Sequence, residues 1–339
     1  ENALATAEDA ETTEPLDVHL KSIELRNLDI HKLNESTNMD IETFIYWANG
    51  GFSSGRGVIA SHIDSEFELN VIDDGDTTYI NHKHFEFHTD ITFNEETGML
   101  VFKPSGITME HGDFDLEGWL DTKNDMTIDL SIKGTKPNFD MLIAFAPHDL
   151  VPVLERYRNA GKIYFNAVIQ GPTDKGTMPF IDAEFGASEA FLENTGKGKR
   201  IDNMGFRGHF TNGEARNWQT MEFSLTEMTA SLEKGNFLGS VVVKNFEEPE
   251  VDMQLDADFN IDFLADFFDL KDIENTGGSV VLHMKFHDII DLDFPEHALN
   301  ELNQAYYMEL TIDELSIASG QLPVPLEPLN MHVVMSGHE

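Results

Sequence analysis

The sequence predicts a mainly β protein with a few short helices: an elongated, twisted antiparallel sheet that forms an open groove, built from repeats of about 120 residues. Three observations carry that prediction. Apolar and polar residues alternate along most of the chain, Gly, Asn and Asp punctuate the alternating runs, and three short segments of helical period stand apart from them. The alternation is plain in Ile23-Glu24-Leu25, Phe85-Glu86-Phe87, Thr127 to Ile132, Met221 to Leu225 and Val251 to Leu255. Such strands have one wet face and one apolar face. Asp73-Asp74-Gly75-Asp76, Asn94 to Gly98 and Thr211-Asn212-Gly213 read as hairpin turns.

Helical period is read at Asp40 to Ala48, Asn138 to Phe145 and Asn260 to Phe268, each behind an Asn or Asp cap. Asp149 to Ala160 extends the second, and His297 to Ala305 is a further candidate. The helices expose an internal repeat. Asn138-Phe139-Asp140-Met141-Leu142 matches Asn260-Ile261-Asp262-Phe263-Leu264, about 122 residues on. Gly112-Asp113-Phe114 echoes Gly235-Asn236-Phe237, and Ile63 to Phe67 echoes Ile181 to Phe185. The division expected is an acidic lead-in over 1–17, a first partial repeat over 18–137, a second over 138–259 and a truncated third over 260–339. About 15 strands spaced about 4.8 Å apart make a sheet roughly 70 Å long. Its few helices are too few to cover the apolar face.

Composition narrows the function. The chain has 339 residues, 62 acidic and 22 basic, a formal net charge of -40. It repels phosphates and anionic membrane surfaces, which excludes nucleic acid as a partner. With no cysteine, thiolate metal sites, disulfides and cysteine nucleophiles are excluded. There are 25 Phe against 3 Trp and 6 Tyr, and Phe brings apolar area without a polar handle. No window is long and apolar enough for a membrane helix. The first residue is Glu1 and no signal-peptide pattern remains, so the expectation is a chain that has lost its natural start, with any membrane anchor outside it.

Catalytic motifs are weak. Gly51-Phe52-Ser53-Ser54-Gly55 fits the nucleophile-elbow spacing, but that motif needs a strand before the Ser and a helix after it, and the order expected here is the reverse. Gly55 to Ala60 mimics a dinucleotide fingerprint without its strand and helix, and Gly196 to Arg200 is a basic turn without the P-loop pattern. His82, His84 and His88 share one side of a strand with Glu86, which is the geometry of a transition-metal site and equally of a wet strand face. The wet face is the reading taken, with no metal, no cofactor and no enzyme activity expected.

Gly118-Trp119-Leu120, Asp129 to Gly134, Pro137-Asn138-Phe139, Phe206 to Gly213 and Val241 to Pro249 together resemble the AsmA-like family of envelope proteins. The resemblance runs from about residue 18 onward. It implies a periplasmic repeating β-groove, anchored to the inner membrane by a segment outside this chain, that binds or conducts phospholipid in outer-membrane biogenesis. The residues expected to line that groove are Phe85, Phe87, Ile91, Phe93, Phe223, Leu225, Met253, Leu255 and Phe259. The alternatives are a scaffolding repeat that binds a protein partner in the cell envelope and a cation-dependent adhesin.

Overall fold

The computed structural model describes residues 18–34, 38–73, 75–77, 80–145, 151–174, 177–270, 273–289, 306–319 and 326–337. The acidic lead-in and the helix expected at His297 to Ala305 lie outside them. Strand accounts for 73% of the structure and helix for 7%, and the strands form one antiparallel sheet that does not close.

Among the described residues sixteen strands follow one another across the sheet in chain order, each paired to its neighbours in sequence. They are β1 (Val18–Asn34), β2 (Met39–Gly55), β3 (Val58–Asp73), β5 (Lys83–Asn94), β6 (Met99–Met109), β7 (Gly112–Asp121), β8 (Thr127–Gly134), β9 (Tyr157–Gly171), β10 (Phe180–Asn194), β11 (Lys199–Thr211), β12 (Glu222–Leu232), β13 (Gly235–Lys244), β14 (Glu250–Asn260), β15 (Ile273–Ile289), β16 (Tyr306–Ser319) and β17 (Leu326–Ser336). The two-residue β4 (Asp76–Thr77) pairs back on the end of β3, so Asp73 to Asp76 is a hairpin as expected. Among the described residues β1 and β17 are the open edges of the ladder.

Bulges bend the long strands part-way along. Pairing registers slip at Ile45/Trp47, His88/Ile91, Phe102/Ser105, Ala187/Ala190, Leu225/Met228 and Ile312/Leu315. Glu189, Glu227 and Glu314 sit in three of these slips with φ of 51°, 52° and 54°. An extra residue on one strand bends it and raises its twist, so bulges repeated from strand to strand curl a flat ladder into an open groove.

Asp40 to Ala48 is strand, not helix. Residues Ile41, Thr43, Phe44, Ile45, Tyr46 and Trp47 are β-branched or aromatic, and β2 is hydrogen-bonded to β1 on one side and β3 on the other. The other helices form but are short. α1 spans Asp140–Ile143, α2 spans Val151–Leu154 and α3 spans Ile261–Phe267. The helical extension to Ala160 is overturned because Tyr157 to Ala160 pair with Phe191 to Asn194 of β10. Thr211-Asn212-Gly213 is not a tight hairpin either. It opens a longer connection through a 3₁₀ turn (Trp218–Thr220), held by the buried Asn212, whose side chain bonds Ile181 N at 2.8 Å and Pro179 O at 2.7 Å.

Two apolar clusters hold the helices to the sheet. Met141, Ile143, Ala144 and Val151 bury against Met109, Phe114, Ile163, Phe165 and Ala167. Phe263 and Phe267 of α3 bury against Tyr157 and Leu232. The order strand, strand, helix, strand occurs at β7–β9 and again at β13–β15, six strands further along the ladder.

Candidate functional site

The site is the apolar face of the sheet, and cross-strand register assembles it. One row of directly opposed residues runs Leu116, Ile132, Ala167, Ala183, Phe210, Phe223, Val243, Val251 over eight successive strands. A second runs Leu28, Ile45, Phe67, Phe85, Met109. A third runs Leu225, Val241, Met253, Phe286, Tyr306, and beside it Leu255, Met284, Met308 and Met335 oppose one another. Side chains of opposed residues stand on the same face, so the rows form one apolar surface along the sheet.

All nine residues expected to line the groove lie on that face and are half-buried. They do not share one environment. Phe85 packs against the α1 cluster and stacks on Phe67 at 5.3 Å, and Phe259 packs against the α3 cluster. These two pack at the clusters that hold the helices to the sheet. Phe87, Ile91, Phe93, Phe223, Leu225, Met253 and Leu255 lie outside both clusters. The face is not wholly apolar. Thr89 and Ser105 are buried on it and satisfy each other through a 2.7 Å hydroxyl contact. Lys83 is also buried on it, and its ammonium donates to the Ala144 carbonyl at the end of α1, 3.0 Å away. Burial pushes the Lys83 pKa down, opposed by the Glu110 carboxylate.

Glycines set where the helices sit. A side chain at Gly134 would occupy the place of Met141 Sδ, and one at Gly112 would lie 3.0 Å from Ala144 Cβ and 3.1 Å from Met141 Cα. Their absence lets α1 lie flush on β7 and β8. The α3 end is fastened by Asn194 Nδ2 and the Tyr157 hydroxyl, which donate to the Phe267 carbonyl at 2.9 and 3.0 Å.

The opposite face is polar, and its histidines face carboxylates on adjoining strands. His84 Nε2 is 3.0 Å from Glu66, His88 Nδ1 is 2.6 Å from Asp64 and His82 Nδ1 is 2.6 Å from Glu68. Each of the three imidazoles thus has its own acid, and they do not converge on one point where an ion would sit. His62 bridges Asp90 and Asp64 at 3.0 and 2.9 Å, and the bond to Asp90 raises its pKa. His209 pairs with Asp182 and His283 with Asp256 in the same manner. The bond from His88 lowers the pKa of Asp64, that from His84 lowers Glu66 and that from His283 lowers Asp256.

The catalytic look-alikes resolve as strand and turn. Ser53 sits in β2 opposite His19 and Ala60, inside the ladder, with no helix after it. Arg56 and Gly57, with φ of 53° and 73°, form the two-residue hairpin between Gly55 and Val58, as a type I′ turn requires. Lys197 lies in the β10–β11 turn, 3.4 Å from Asp269 beyond α3.

Sequence reading placed β1 in the first groove repeat but named none of its residues among the lining. Leu25 and Ile30 are 40% and 42% exposed, and the apolar alternation changes phase between Leu25 and Leu28, around Asn27 with its φ of 50°. Among the described residues no helix is long and apolar enough to cross a membrane. Comparison with known proteins gives no family model, no curated protein and no solved structure that matches the chain.

Proposed function

We propose that the chain is a lipid-binding groove segment, periplasmic and of the AsmA-like kind, that holds or conducts phospholipid acyl chains along its apolar face. The parent protein would be tethered to the inner membrane by a segment outside this sequence and would act in outer-membrane biogenesis. The reading rests on one observation. The apolar rows continue across the sheet, while among the described residues helices cover them only around α1–α2 and α3. A continuous apolar face left without a covering layer needs an occupant. Acyl chains suit it, since each CH₂ kept out of water is favourable by about 0.8 kcal/mol. The headgroups would stay at the rims, and the acidic outer face keeps the exterior hydrated.

Native mass spectrometry with lipid extraction tests the reading. The expected result is phospholipid at more than one copy per chain. Replacing Phe93 and Leu225 by Asp should remove that lipid while circular dichroism keeps its strand signal. Lipid retained by the folded double variant would sink the proposal.

A second reading is favoured by β1, an edge strand with an open backbone and exposed Val18, Leu20, Ile23, Leu25, Leu28 and Ile30. Such an edge can add a strand from a protein partner in the envelope. It would be the better account if the chain came out lipid-free, even after incubation with phospholipid, and bound a protein with fixed stoichiometry.

A further inference from the structure

We propose that His31, Asp40 and Glu42 form a binding site for a divalent transition ion of the zinc class, on the polar face where β1 meets β2. The three side chains each offer a ligand atom, and these atoms lie within 4.8 Å of one another. Backbone pairing places them together. His31 is directly opposite Glu42, and Asp40 lies two residues before Glu42 on the same side of β2. Ligands held at about 2.0–2.2 Å around a tetrahedral ion are about 3.4 Å apart. His31 Nδ1 is already 3.6 Å from Glu42 Oε1.

Three further observations point to a cation. Asp40 Oδ1 is shut off from solvent and has no hydrogen-bond partner. A carboxylate oxygen in that position is costly unless a proton or a metal meets it. Glu42 is held from the other side by Asn70 Nδ2, 2.8 Å from its Oε2, which leaves Oε1 directed at His31. The other ring nitrogen of His31, Nε2, is 3.6 Å from Asp29 Oδ1. An imidazole between a carboxylate and the ligand cluster is the arrangement by which proteins orient a metal-binding histidine. One imidazole and two carboxylates form a donor set for zinc and its neighbours, while calcium and magnesium prefer oxygen alone. At His62, His82, His84, His88, His209 and His283, by contrast, the ring meets an acid at hydrogen-bond distance.

Its position gives the ion a task. Among the described residues β1 is an open edge, joined to the sheet on one side only. A metal ligated from both strands would staple that edge to β2 and would leave the apolar face free.

Isothermal titration of zinc into the full chain, freed of metal and carrying no polyhistidine tag, tests this. One zinc per chain is expected, with a rise in melting temperature. Glu42→Gln, which keeps an acceptor for Asn70, and His31→Ala should each weaken binding by at least about 10-fold and abolish the rise. The pair His84→Ala and His88→Ala should leave both unchanged. Circular dichroism of Glu42→Gln establishes that the loss is not unfolding. The proposal is overturned if wild type binds no zinc saturably, if stoichiometric zinc survives Glu42→Gln combined with His31→Ala, or if calcium binds as tightly and survives His31→Ala.

Discussion

Single atoms decide how the helices meet the sheet. Gly134 and Gly106 are both strand glycines, but a side chain at Gly134 collides with Met141, while one at Gly106 meets nothing within 4 Å. Gly134→Val should therefore destabilise by about 1–3 kcal/mol through overpacking, with Gly106→Ala near neutral, both measured by urea denaturation. The paired histidines make a pH prediction. Asp64, Glu66 and Asp256 have folded pKa values below their unfolded ones, so their contribution is present above about pH 4 and is lost as pH falls through the lowered values. His62 has a raised pKa, so its contribution is full below about pH 6.5 and fades as pH rises through the folded value. Melting temperature should peak between these limits, and Asp90→Asn should flatten the decline on the alkaline side. Sequence alternation was enough to place Phe87, Phe93, Phe223 and Leu225 on one face. It could not have located the clusters that Phe85 and Phe259 join, because a helix that crosses to another strand leaves no periodic trace in the strand beneath it.

At the level of elements, α3 is the clearer test of what the helices do. Phe263 is 2% exposed and lies under Lys199, whose ammonium is 5.8 Å from its ring. Phe263→Ala should cost about 3–5 kcal/mol if α3 is part of the cooperative structure. A second, lower-temperature step in the melting curve, with the main step unmoved, would mean that α3 detaches on its own. The strands were legible wherever apolar and polar residues alternate without interruption, as in β12 and β14. β2 was misread because Ile41, Phe44 and Ile45 meet helical spacing as well as strand spacing, and only its partners on both sides decide between them. α1 was legible from its match with α3, but its length was not, since the reach of β9 along β10 sets where helix gives way to strand.

For the whole molecule, charge and topology matter most. With 62 acidic and 22 basic residues, repulsion across the polar face opposes compaction, so melting temperature should rise as sodium chloride is increased from about 10 mM to 0.5 M and the Debye length falls to a few ångströms. A fall with added salt would mean that the histidine–carboxylate pairs outweigh the repulsion. The open, twisted sheet was legible from the alternation and the run of turn signals, while the positions of its bends were not, because bulges at Glu189 or Glu227 carry no distinctive residue type. The pairing of each long strand with its sequence neighbours has a kinetic consequence. Most hairpins close over a short stretch of chain and the longest connection, from β8 to β9, is still local, so the loop-closure entropy of one step is small even though the finished sheet spans the whole molecule. Assembly can then proceed like a zipper from the end that emerges first, with each new strand templated by the one before it. Such a sheet would be secured strand by strand, and an edge strand, rather than a central nucleus, would be the first to come away under tension.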